Sequence, residues 1–263
     1  MSSVTVGKQY ARSFARLSMS NHLFSLVVFL VAVIAGGVAA LSGFGIGSLL
    51  TPLLATAMGM KTAIAAVSVP HFVATAVRFW SLWKYIDRRV LLHFGIASAA
   101  GGLLGALSQS RANSPILSLV FGCLLLFAGL SALAGWTDRM RFRRDTAWIA
   151  GVLSGLFGGL VGNQGGIRSA ALLSFQMQKE SLVATATATG IIIDFARMPV
   201  YIATQRSALL SAKTNILLAL IGCLVGTFWG VRVLERIPAH RYKQALSLFI
   251  CALGVYMILR VWI

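Results

Sequence analysis

Residues 162–168 read GNQGGIR and lie between two apolar runs, WIAGVLSGLFGGLV (148–161) and SAALLSF (169–175). A membrane helix would normally continue through this point. The chain instead places Asn163, Gln164, three glycines and Arg168 there. In hydrocarbon every backbone N–H and C=O needs a partner, so broken helix survives only inside protein or against a wet cavity. A second stretch, LSGFGIGS (41–48), breaks another apolar run in the same way.

The surrounding composition fixes the solvent. The chain has 263 residues, of which 58% are hydrophobic and 11% charged, and its mean hydropathy is +0.84. Soluble domains carry about 25% charged residues, so this composition is that of an integral membrane protein. Apolar segments fall near 23–42, 47–59, 62–83, 90–109, 115–135, 147–161, 167–177, 181–204, 209–233 and 242–262. Spanning as a helix takes about 20 residues, whereas a β-barrel would show alternating segments of about 10. The fold class is therefore an all-α, polytopic membrane protein. Segments 47–59 and 167–177 are too short to cross fully at 1.5 Å per residue, and each follows a glycine-rich break.

Charge and cysteines exclude other classes. The net charge of +17 comes from 23 Lys/Arg against 6 Asp/Glu. Most of these cations sit in short connections, where topology and anionic headgroups account for them, so the partner is a lipid bilayer and not nucleic acid. Cys123, Cys223 and Cys251 lie inside apolar runs with no metal-ligand spacing, and an odd count argues against a disulfide framework. Neither a Ser/His/Asp set nor a phosphate loop is apparent. His22, His93 and His240 lie near segment ends. The expectation is no enzyme, no catalytic residue, no metal and no cofactor.

An internal repeat emerges on shifting the chain by 119 residues. Gly36 falls on Gly155, Gly43 on Gly162, Gly47 on Gly166, Ala65 on Ala184 and Arg78 on Arg197. With a two-residue slip, GGLLG (101–105) then meets GCLVG (222–226). The expected organisation is a cytoplasmic or interfacial leader (1–22), a first half (23–135), a basic cytoplasmic linker (136–146) and a second half (147–263). Tyr10, Phe14 and Leu17 suit an interfacial helix in the leader. Counting basic loops favours about eight spans in two parallel halves, each with a broken or re-entrant helix, and both termini cytoplasmic. Ten spans in inverted halves is the alternative, and both arrangements occur among transporters.

The breaks suit an anion. Each precedes a short helix whose unpaired N–H groups and dipole favour negative charge. Asn163 and Gln164 add amide donors, and Arg168 adds a planar cationic fork. Arg78, Arg197 and Asp194 are further ionisable groups at depth, costly there and by default functional. Asp194 and Arg197 share a helix face, as a structural pair or with Asp194 carrying a coupling proton. Tyr201 follows the Pro199 kink with its hydroxyl placed to face the cavity, so Arg78, Arg197 and Tyr201 join Asn163, Gln164 and Arg168 as candidate anion-binding residues. Ser68, His71, Thr185 and Thr187 lie on small, hydroxyl-bearing stretches that suit a permeation route, or else bond back to their own helices.

Two glycine-rich breaks, GFGIGSLLTPLL (43–54) and GNQGGIRSAALL (162–173), with DFARMPVY (194–201) downstream, together resemble the sulfite exporter TauE/SafE family, also called the toluene-sulfonate uptake permease group, over about residues 25–260. The resemblance implies ATP-independent transport of sulfite or sulfonates across the bacterial inner membrane. By motif it assigns the glycine-rich segments to Gly43, Gly45, Gly47, Gly162, Gly165 and Gly166, with Phe44 between the first two. Ile46, Ser48, Asn163 and Gln164 depart from the family's usual glycine triplets. A small anionic substrate is thus the expected partner, exported by a secondary transporter; a homodimer is compatible with the sequence. A passive anion channel and a permease for another small anion, such as a carboxylate, are the alternatives.

Overall fold

The computed structural model describes residues 3–43, 45–136, 147–163, 165–173, 175, 177–230, 232, 236 and 238–262. Phe44, Gln164 and nearly all of the basic linker lie outside these residues. Among the described residues ten main helices follow one another: α1 (Ser3–Ser42), α2 (Ile46–Met58), α3 (Met60–Leu82), α4 (Ile96–Arg111), α5 (Ser114–Leu133), α6 (Ala147–Val161), α7 (Gly165–Leu173), α8 (Lys179–Ser211), α9 (Lys213–Val225) and α10 (Ala239–Leu259). The leader backbone is helical and continuous with α1 from Ser3.

Among the described residues, five helical runs are long and apolar enough to cross a membrane: His22–Leu41, Met60–Tyr85, Arg88–Arg111, Ser114–Leu133 and Glu180–Ser211. Leu23, Leu30, Ile116, Leu130, Phe195 and Phe249 are exposed on the outer surface, which suits hydrocarbon and not water. All six tryptophans are more than half exposed as well, as expected of rings anchored at membrane interfaces. The protein is thus an all-helical, multi-pass membrane protein.

Glycines let the helices pack backbone to backbone. Gly36 meets the carbonyl of Cys223 and Gly226 that of Val33, joining α1 to the α9 run. On the other side Gly101 meets Val152 and Gly105 meets Leu156, joining α4 to α6. Gly122 and Gly129 of α5 lie against Gly254 and Cys251 of α10.

These pairs also fix helix directions. Contact positions rise together along α4 and α6, so the two run parallel, as do α1 and α9. Gln109 meets Gln205 while Gly95 meets Ile192, so α4 and α8 are parallel too. Contacts run in opposite order between α5 and α10, and between α3 and α8, where His71 meets Asp194 and Thr75 meets Gly190. Parallel halves with eight spans would require α5 and α10 to run the same way; they are antiparallel. The physical reason lies in the short helices. Since α6 and α8 share a direction, α7 between them runs back, and the loop-charge count had treated it as making no crossing.

Candidate functional site

Both helix breaks are made by glycine. Gly43 and Gly162 adopt φ of 77° and 75°, which ends α1 and α6, and Gly45 at 134° opens α2. Side chains rarely enter this region. The two breaks then meet. A methyl on Gly47 would overlap the carbonyl of Gly162, and Ser48 Oγ reaches Asn163 Oδ1 at 3.5 Å, a long bond. Gly45, Gly47, Ser48, His71, Gly162, Asn163, Gly165 and Arg168 line one pocket. The starts of α2 and α7 thus face the same space, and their first N–H groups have no partner within their helices.

Arg168 is 2% exposed. Its Nη2 donates to the carbonyl of Gly43 at 3.1 Å, while Nε and Nη1 have no partner among the described residues. Gly190 makes room for this guanidinium, since a methyl there would come within 3.0 Å of Nη1. Arg78 donates through Nη1 to the carbonyl of Ala39 and through Nη2 to Thr75 Oγ1 at 3.1 Å. Its Nε is also buried without a partner. A buried donor left unpaired costs about 1–3 kcal/mol, more when charged, so these nitrogens are an unusual concentration of unmet donors.

Arg197 differs. Its Nε lies 2.9 Å and its Nη2 2.7 Å from Asp194 Oδ1, and Nη1 donates to the carbonyl of Gly158. The Tyr201 hydroxyl donates to the carbonyl of Gly159, and its ring lies 5.9 Å beneath the guanidinium. Arg197 and Tyr201 therefore brace the end of α6, a layer behind the pocket. Asp194 is fully buried and its second oxygen meets His71 Nδ1 at 2.6 Å.

Of the residues singled out in the sequence, Gly45, Gly47, Gly162, Asn163, Gly165, Arg168 and His71 come together around the pocket. Gly43 joins them through Arg168, and Gly166 falls in the first turn of α7. The hydroxyls of Ser68 and Thr187 bond back to Ala65 and Val183, and Thr185 accepts from the Asp87 N–H at 3.0 Å. Ser48 and the His71–Asp194 pair were missed. A lone acid in an apolar run demands a partner, and that demand was the available signal.

The pocket is small, about 10 Å³, room for roughly one water. A larger cleft of about 680 Å³ lies elsewhere, at the entry to α4 and the start of α6, lined by Asp87, Arg89, Val90, His93, Phe94, Trp148 and Phe175. It holds none of the unpaired arginines.

None of the curated proteins or solved structures compared with the chain matches it. The family model described as Sulfite exporter TauE/SafE matches residues 28–257, which contain both breaks and every residue of the pocket. The chain belongs to the sulfite exporter TauE/SafE family.

Proposed function

We propose that the chain is a secondary transporter that exports sulfite or a related organosulfur anion, such as a sulfonate, across the bacterial inner membrane. The anion sits between the starts of α2 and α7, with the Asn163 amide beside it, and takes the free nitrogens of Arg168. One observation carries this: a guanidinium 2% exposed, lining a pocket shared by two helix N-termini, has two nitrogens without partners among the described residues. An oxyanion supplies the missing acceptors and the missing charge.

Two five-helix halves in inverted order move about this pocket. The opposed directions of α5 and α10, and of α3 and α8, support that arrangement over the parallel one. Sulfite exceeds the room of one water, so the helices must part to admit it. That requirement favours a gated carrier over an open anion channel.

The test is flux of labelled sulfite, methanesulfonate and acetate in proteoliposomes, with Arg168→Ala and Arg197→Ala beside the wild type. Arg168→Ala is expected to abolish sulfite flux in protein that still folds. Flux unchanged in both variants would remove the site, and preference for acetate would transfer the pocket to carboxylates.

A further inference from the structure

His71 is the one titratable group in the pocket to which anion binding assigns no task. Its Nδ1 lies 2.6 Å from Asp194 Oδ2. Asp194 accepts from Arg197 through its other oxygen, and a carboxylate so paired is ionised. Nδ1 therefore carries the hydrogen and donates it to Asp194, which leaves the lone pair of neutral His71 on Nε2. With Nδ1 engaged, Nε2 is the nitrogen His71 offers to the pocket it lines.

We propose that His71 carries a coupling proton: Nε2 takes up one proton as the anion enters and releases it as the anion leaves, so the two cross together. Charge dictates the coupling. Around His71 stand Asp194 and Arg197 from α8 and Arg78 from its own helix, while α7 brings Arg168 to the pocket and α2 the uncharged Ser48. Three cations against one carboxylate leave the empty pocket already positive. A further proton is tolerated only when an anion offsets it, and by linkage the imidazolium tightens the anion in return. A sulfite dianion then crosses with one net negative charge, which an inside-negative potential still drives outward. Asp194, held by Arg197, positions the imidazole and is not itself the proton carrier.

This role rests on the anion pocket proposed above, and the experiment separates the two. Full-length protein is reconstituted in liposomes holding a trapped pH dye. Labelled sulfite is followed in two ways: as exchange at equal pH and as accumulation driven by an acidic exterior. With the membrane potential clamped at zero, one proton per anion makes each unit of pH gradient worth about tenfold in accumulation, with matching proton entry. His71→Gln is expected to slow exchange several-fold while removing both the tenfold response and the proton entry.

A full tenfold response in His71→Gln would mean that the proton rides on bisulfite, and would overturn the inference. Exchange without any pH response in the wild type would overturn coupling and leave the pocket standing. Absence of sulfite exchange in the wild type would remove the pocket itself. Should His71→Gln fail to fold, wild-type methanesulfonate, which carries no proton of its own, decides: tenfold accumulation per pH unit is expected, and none contradicts the role.

Discussion

The two helix breaks are braced alike but carry different chemistry. Ahead of the first, Arg78 holds the carbonyl of Ala39 in the last turn of α1 and bonds Thr75 three residues earlier. Ahead of the second, Arg197 holds the carbonyl of Gly158 in the last turn of α6 and bonds Asp194 three residues earlier. Each pair of positions lies 119 residues apart. Thr75 cannot neutralise Arg78, whereas Asp194 neutralises Arg197. Leu49 stands where the second half has Arg168, and Gly190 stands where the first has His71. Positions 119 residues apart thus bring different chemistry to the pocket and its surroundings: uncompensated charge and an imidazole from the first break, a carboxylate and a reaching guanidinium from the second.

That asymmetry can be broken residue by residue. Asp194→Asn has the largest expected effect, because it leaves Arg197 buried without a counter-charge; breaking such a pair costs about 3–5 kcal/mol. Thr75→Val removes only a neutral partner, about 1 kcal/mol. Denaturation of both in detergent checks the difference, and equal losses would end the comparison.

Arg168→Leu gives the second break the residue of the first. Losing one charged donor set costs roughly 1.5–3 kcal/mol, or about ten- to hundredfold in sulfite affinity. Its fold is retained, since Arg168 makes only one protein bond that the structure records. Equilibrium binding of labelled sulfite to purified protein measures the loss.

Gly47→Ala attacks the junction. The new methyl meets the Gly162 carbonyl, and overpacking of this kind costs about 1–3 kcal/mol, read as a lowered melting temperature. Ser48→Ala is the mildest change. Its bond to Asn163 is 3.5 Å long, so the stability loss stays within about 0.5 kcal/mol.

Much of this was legible in the sequence. GNQGGIR read as a buried break, and the 119-residue spacing of Arg78 and Arg197 matches the like carbonyl contacts the two make at the ends of α1 and α6. Other features were hidden by physics that a linear reading does not see. His71 stood out only as part of a small, hydroxyl-bearing stretch because its partner Asp194 is 123 residues away. Arg197 and Tyr201 looked like pocket residues, but their polar groups are engaged by Gly158 and Gly159. Helix direction was hidden because the short helices, 13 and 9 residues long, are plain as apolar segments while nothing in their length or composition says whether each turns the chain back.

The most direct test is a crystal structure of the protein soaked with selenite, a heavier oxyanion of the same shape as sulfite, with its anomalous scattering mapped. The pocket account predicts a selenium peak within hydrogen-bonding reach of Arg168 and the starts of α2 and α7. A peak confined to the larger cleft beside His93 and Trp148, with the space at Arg168 empty, would contradict it.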